Sequence, residues 1–141
     1  MNYQVMDLNT WSRGDLFRFY MDRMRLVMSL TVDVDVTPLV EFGKREGLKF
    51  YPTMIWTVSK TVNSHDEFKY GWDERGRLIR WETISPSYAE FHPEDENFTK
   101  LVTPFSERLP AFHAPFLRDR ERYRPLRAVV AHQPPNHFHV S

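Results

Sequence analysis

The middle of the chain carries the pattern that most restricts its fold. Between residues 53 and 64, Met54, Val58 and Val62 recur every four residues, which predicts a largely buried helix with an apolar stripe. Segments that alternate in polarity or are rich in β-branched residues lie on both sides of this helix. This order of patterns favours helices packed on a sheet. We therefore predict one α+β domain over residues 1–141, with a mixed sheet covered by helices.

The remaining elements follow from local periodicity and from residues that start or stop them. Thr37 and Pro38 begin a helix that Gly47 ends, and a capping-box spacing places another helix start near Trp11. Because the last two predicted strands lack neighbours, we expect a sheet that is incomplete at the C-terminus and completed by another chain or a longer protein. The predicted strands are 3–8, 28–36, 68–72, 77–81, 87–92, 98–102, 126–131 and 136–141, and the further predicted helices are 37–46 and 106–123.

Composition excludes several classes of function. Lys and Arg number 19 and Asp and Glu number 19, so the chain lacks the basic excess typical of nucleic-acid or anionic-membrane binders. Cysteine is absent, which excludes disulfides, thiolate zinc sites and cysteine nucleophiles and favours a reducing, cytoplasmic location. No apolar run approaches the ~18 residues of a membrane span. Aromatic residues reach 15%, enough for a core and a pocket lining.

Two groups of side chains resemble reactive sites without the partners that such sites need. His137 and His139 share a face of a predicted strand near His132 and could bind zinc, but ordinary strand residues are the simpler interpretation. Asp33 and Asp35 also share a face, which a solvated surface explains. A cluster of arginines is interpreted in the same way, as a solvated helix face: Arg118, Arg120, Arg122, Arg124 and Arg127.

A collinear set of short segments carries more information than any single motif. The segments are MNY (1–3), DLNTWSR (7–13), LFRFY (16–20), MSLT (28–31), KFYP (49–52), VN (62–63), DEF (66–68), IRW (79–81), FH with its acidic loop (91–98) and NHFHVS (136–141). In this order and at this spacing they resemble the N-terminal two thirds of the chloramphenicol O-acetyltransferases. The resemblance implies a two-layer α/β sandwich that assembles as a homotrimer, with active sites at the subunit interfaces.

The resemblance also implies a reaction and assigns residues to it. Family members transfer an acetyl group from acetyl-CoA to the 3-hydroxyl of chloramphenicol, with a histidine of a His-His-x-x-x-Asp-Gly motif as general base. Ser141 matches the serine that stabilises the oxyanion, and Arg13 matches an arginine that supports the base through the motif's aspartate. The sequence stops before that motif, so we expect an N-terminal portion that lacks the general base and is inactive alone.

Further positions match the two ligand sites of the family. Lys49 and Tyr51 match positions near bound coenzyme A, and an exposed surface lysine is the alternative for Lys49. No metal is expected. Core packing is the alternative for the first two of the residues that match the acceptor site, which are Tyr20, Met24, Met28 and Phe98.

Two other functions compete with the acetyltransferase. One is a catalytically inactive remnant that binds ligand or assembles without chemistry. The other is a metal-binding protein that uses His132, His137 and His139.

Overall fold

The computed structural model describes residues 2–124 and 133–141 and contains both helices and strands. The order is β1 (Tyr3–Val5), α1 (Gly14–Arg18), a π-helical turn (Phe19–Met24), α2 (Thr37–Arg45), α3 (Phe50–Asn63), a 3-10 turn (Asp66–Phe68), β2 (Tyr70–Trp72), β3 (Leu78–Trp81), β4 (Ser85–His92), β5 (Asn97–Val102), α4 (Leu109–Tyr123) and β6 (His137–Val140).

The strands form two three-stranded sheets. In sheet A, β3 lies between β1 and β2, and both pairings are antiparallel. In sheet B, β4 lies at the centre, antiparallel to β5 and parallel to β6. The expected α+β class with a mixed sheet is confirmed, because sheet B contains both kinds of pairing and packs against helices.

The main core lies between sheet B and helices α3 and α4. Tyr88 of β4 stacks on Phe116 of α4 with ring centroids 4.2 Å apart. Ile55, Leu101 and Phe112 complete this cluster of buried side chains. Burying side chains of this size contributes about 1.5–3 kcal/mol each, so this cluster fixes α3 and α4 on sheet B.

Helix boundaries differ from the predicted ones where tertiary contacts decide them. α1 begins at Gly14 rather than near Trp11. α2 begins at Thr37 with Val36 as its N-cap residue, so Thr37 lies in the first turn instead of capping it. The carboxylate of Asp35 accepts the Thr37 backbone N–H at 2.9 Å just before the helix. Gly47 adopts a φ of +66°, which confirms it as the residue that ends α2.

The predicted strand at 28–36 is wrong. The structure forms no regular element between α1 with its π-helical turn and α2, and Met28, Leu30 and Val32 are exposed. β-branched residues favour a strand only where a neighbouring strand supplies hydrogen bonds and packing. Among the described strands, none pairs with this segment.

The C-terminal strand is confirmed as β6, whereas the strand predicted at 126–131 lies outside the described residues. β4 begins two residues earlier than predicted and includes Pro86. In the part of the chain that the structure describes, no helix combines the length and apolar character needed to cross a lipid bilayer.

Candidate functional site

The end of the edge strand β6 brings Ser141 level with the middle of β4 in sheet B. Val140 pairs with Tyr88 in the parallel ladder, so Ser141 continues the strand at the level of Ala89. Ala89 in turn pairs with Lys100 of β5. Because Tyr88 points into the core, alternation places Ser141 on the opposite, outer face, where it is exposed.

The outer face of sheet B also carries Phe98. Phe98 lies two residues before Lys100 on β5, so the two side chains share the face of Ser141. Two strand spacings and a two-residue offset separate Ser141 from Phe98 by about 12 Å. The structure thus places two of the predicted site residues on one open face, at a separation that a small molecule could span.

Tyr51 supports this part of the sheet from the inner side. Its hydroxyl donates a hydrogen bond to the carbonyl of Ala89 at 3.4 Å, beside the level of Ser141. Its ring packs edge-on against Tyr88 and Phe116, with centroids 6.3 and 5.9 Å away. Burial, and then the nearby Glu90 carboxylate, raises the pKa of the Tyr51 hydroxyl. Tyr51, which matches a coenzyme A position, is here half-buried and in contact with the core.

An ion pair that sequence reasoning missed links α4 to β4. The guanidinium of Arg120 donates to both carboxylate oxygens of Glu90, one of them at 2.6 Å, and lies 6.0 Å from the Tyr51 ring centroid. A bidentate pair of this kind is short and directional. The sequence contained a signal for it, because Glu90 lies two residues from both Tyr88 and His92 and so shares their inward face of β4. A carboxylate on a buried strand face requires a cation.

The first turn of α3 is held by a histidine of α4. The backbone N–H of Lys49, at the N-cap of α3, donates to Nε2 of His113 at 3.2 Å. His113 is buried, and burial lowers the pKa of its imidazole, so the neutral ring keeps the lone pair that this bond requires. The Lys49 side chain itself is exposed.

Arg13 lies at a cleft of about 460 Å³ with aromatic and acidic walls. Arg13 shares it with two carboxylates, of which Asp66 is bound to Lys69 at 2.7 Å. That hydrogen bond, together with the charges of Lys69 and Arg80, lowers the pKa of Asp66. The cleft is lined by Trp11, Arg13, Phe17, Asp66, Glu67 and Tyr70.

The residues that match the acceptor site are all exposed. Tyr20 and Met24 lie on the π-helical turn, and Met28, 84% exposed, lies in the segment after it. Phe98 is 41% exposed on β5. None of these four lines the clefts at sheet A, around Arg13 or around Arg18. Because both side chains are exposed, the alternative that Tyr20 and Met24 pack in the core is wrong.

Two histidines of β6 lie against each other. The rings of His137 and His139 meet edge to face with centroids 4.9 Å apart. Desolvation by its surroundings, followed by the positive charge of Lys100 and the neighbouring His137 imidazole, lowers the pKa of His139. The third histidine of the predicted group, His132, lies outside the described residues. Within residues 2–124 and 133–141, no group of three or more His, Cys, Asp or Glu side chains could hold a metal ion.

The match to one family extends over the whole sequence. The family model for chloramphenicol acetyltransferase matches residues 1–141. The chain belongs to the chloramphenicol acetyltransferase family. The resemblance inferred from the collinear segments is therefore confirmed.

Individual chloramphenicol acetyltransferases support the assignment. One from Clostridium butyricum is 33% identical over 143 residues, covering 100% of this chain and 65% of the relative. One from Clostridium perfringens is 34% identical over 123 residues, covering 87% and 56%. Chloramphenicol acetyltransferase 3 of Escherichia coli is 33% identical over 143 residues, covering 100% and 67%. The chain spans between 56% and 67% of the length of these relatives.

A solved structure of a chloramphenicol acetyltransferase has the same fold. It superposes with a TM-score of 0.78 over 85% of this chain and 56% of that chain, at 22% identity. At this identity the likeness shows the fold alone, and it confirms the predicted fold class.

Proposed function

We propose that this chain is part of an acetyl-CoA-dependent O-acetyltransferase that modifies chloramphenicol. The observation that carries the proposal is the family match over residues 1–141. The common outer face of Ser141 and Phe98 on sheet B supports it, because an acyl acceptor needs an apolar wall near an oxyanion donor.

The proposed reaction is a direct acyl transfer. The acceptor hydroxyl oxygen attacks the thioester carbon of acetyl-CoA while a general base removes the hydroxyl proton, so a C–O bond forms and the carbonyl oxygen becomes an oxyanion. The Ser141 hydroxyl donates a hydrogen bond to that oxyanion, which is worth about 10²–10³-fold in rate. Collapse breaks the C–S bond, and the coenzyme A thiolate takes the proton back from the base.

The ligand-binding residues are assigned from the family resemblance. In our proposal Phe98 and three residues of the π-helical region line the acceptor site, and their exposed side chains are free to contact a ligand. Lys49 attracts the coenzyme A phosphates as an exposed point charge, and Tyr51 positions the strand beside Ser141. Arg13 is a supporting residue of the site. These three acceptor-site residues are Tyr20 and Met24 on the π-helical turn and Met28 in the segment after it.

The proposal extends to assembly and location. A homotrimer would cover the exposed apolar side chains between residues 26 and 34, which a monomer leaves in water. The absence of cysteine supports a cytoplasmic location.

The general base has no assigned residue in this sequence. Its six histidines include none in a His-His-x-x-x-Asp-Gly context. This observation favours a second candidate function for the 141-residue polypeptide, ligand binding or assembly without turnover. We accordingly propose that the polypeptide alone does not acetylate chloramphenicol.

An assay of coenzyme A thiol release with chloramphenicol and acetyl-CoA tests activity, while calorimetry tests binding. We expect chloramphenicol to bind with negligible turnover, and added imidazole to raise turnover in the wild type but not in Ser141→Ala, because free imidazole replaces a missing base. If chloramphenicol binds but added imidazole produces no turnover, the result would favour the ligand-binding module. Turnover near that of an intact relative would contradict the absence of a base, and failure to bind either ligand would contradict the proposed function.

A pair of variants tests the acceptor wall. Phe98→Ala is expected to weaken chloramphenicol binding by about tenfold, since it removes an aromatic contact worth about 1–2 kcal/mol. Phe68→Ala is the matched control, because Phe68 is also an exposed phenylalanine but lies on the 3-10 turn, outside sheet B. Equal effects of the two variants would remove Phe98 from the site.

A further inference from the structure

The proposed acetyltransferase reaction does not require the two histidines of β6, whose ring spacing is compatible with binding one metal ion. Two imidazoles that bind one metal ion at about 2.0–2.1 Å have ring centres about 4.5–5.2 Å apart, for N–metal–N angles between about 90 and 109°. The rings of His137 and His139 are 4.9 Å apart. The two residues are two apart on β6, so both side chains lie on the same face of the strand and one ion could reach both.

The hydrogen bond of His137 prepares its other nitrogen for a metal. Nδ1 of His137 lies 2.6 Å from the carbonyl oxygen of Pro134. A carbonyl only accepts, so Nδ1 carries a proton and Nε2 is the ring nitrogen left for a metal ion. Metal-binding histidines usually donate their second ring N–H to such a carbonyl, which fixes the ring and raises its basicity.

His139 supplies the second lone pair at the surface. Its side chain is exposed, and desolvation together with nearby charges lowers the pKa of its imidazole. Lys100, one of the causes of that shift, faces the pair and opposes a bound cation. The arrangement therefore suits an ion that binds imidazole strongly enough to overcome one nearby positive charge.

We propose that His137 and His139 form a two-histidine site for divalent transition-metal ions, with Cu²⁺ bound most tightly. Imidazole is a favoured ligand of copper, nickel and zinc, and affinity for a given nitrogen site rises to a maximum at Cu²⁺. Two protein ligands leave the other positions of the ion to water. The site therefore differs from a structural zinc centre, which closes with four protein ligands.

Calorimetric titration of the untagged 141-residue chain with Cu²⁺, Ni²⁺ and Zn²⁺ tests the site. We expect one Cu²⁺ per chain, with Ni²⁺ and Zn²⁺ bound more weakly. His137→Ala and His139→Ala should each weaken Cu²⁺ binding by about tenfold or more. His65→Ala is the matched control, because it removes an exposed histidine elsewhere and should leave binding unchanged. Lys100→Gln should tighten binding.

A spectroscopic measurement on the wild type keeps the test independent of variant folding. Substoichiometric Cu²⁺ should broaden the imidazole NMR signals of His137 and His139 before those of the other histidines. Unchanged affinity in both alanine variants overturns the site, as does broadening that begins at His65 or His132.

Discussion

His113 connects two helices through a single hydrogen bond. The first backbone N–H groups of a helix lack partners within the helix, and no side chain of the α3 N-terminus caps it. Nε2 of His113 accepts the Lys49 N–H, and the Thr53 hydroxyl donates to the Lys49 carbonyl at 2.7 Å. The chain segment on which the coenzyme A proposal depends is therefore positioned by a residue 64 positions away in sequence.

Replacing His113 is expected to change how stability depends on pH. Burial holds the pKa of native His113 below its ordinary value of 6.5, so near and below pH 6.5 the unfolded chain binds a proton that the folded chain does not. The contribution of His113 to stability is complete above about pH 6.5 and is lost as pH falls through the folded pKa. His113→Gln keeps an acceptor but does not titrate, so its free energy of unfolding should fall less between about pH 7.5 and 5.5.

Urea unfolding of both proteins at the two pH values measures this difference. His65→Gln serves as the control, because it removes an exposed histidine from the 3-10 region and should retain the wild-type pH dependence. Parallel pH profiles for wild type and His113→Gln would show that His113 titrates alike in the folded and unfolded chain.

Two segments that the sequence predicts as strands have different structures because of their neighbours. Residues 28–36 alternate and are rich in β-branched residues, yet they form no strand, whereas β4 contains Pro86, is followed by Pro93 and forms the centre of sheet B. β4 pairs with β5 over Ser87–His92 and with β6 over Ser85–Tyr88, so each of its residues has a strand partner on at least one side. Element formation here follows from available partners rather than from local propensity.

A matched pair of leucine substitutions tests this difference. Leu101→Ala, at a side chain 1% exposed in the main core, should lower the free energy of unfolding by about 2–5 kcal/mol. Leu30→Ala, at a side chain 80% exposed, should change it by less than about 0.5 kcal/mol. Denaturant unfolding at a protein concentration low enough to avoid association measures both. A large loss for Leu30→Ala would show that residues 28–36 are packed after all.

The two sheets are joined through α3. Ile55, near the start of the helix, belongs to the core under sheet B, and Val62, near its end, packs against the cluster of Ile79, Trp81 and Ile84. One amide fixes that end, because Asn63 donates to the Ile84 carbonyl at 2.9 Å and accepts the Ile84 N–H at 2.9 Å. Ile84 lies between β3 of sheet A and β4 of sheet B, so this clamp holds the position where the chain passes between sheets.

Removing the clamp should destabilise the whole molecule. Asn63→Ala leaves both backbone groups of Ile84 without their partner, which costs about 1–3 kcal/mol of unfolding free energy. Ser64→Ala is the control at the adjacent exposed position, with an expected change within about 0.5 kcal/mol. Thermal or urea unfolding measures both, and equal effects at the two positions would contradict the role of the amide.

Local sequence signals were sufficient for most elements of this molecule. Gly47 acts through backbone conformation and the existence of α3 follows from periodicity, which depend on neighbouring residues alone. The predicted stripe of Met54, Val58 and Val62 is only half-buried, because the face of α3 that packs into the core is that of Ile55 and Ser59. The same signals could not find the Arg120–Glu90 pair or the His113 acceptor, since each joins residues that are distant in sequence.

The sequence by itself determined the presence of the helices, the final strand and, through its collinear motifs, the family. Only the tertiary structure decided that residues 28–36 have no strand partner among the described residues, that Ser141 shares an outer face with Phe98, and that the rings of His137 and His139 meet edge to face with centroids 4.9 Å apart. The physical reason is the separation along the sequence over which each effect acts. Backbone propensity and periodicity act within a few residues, whereas pairing, burial and side-chain geometry depend on which distant segments the fold brings together.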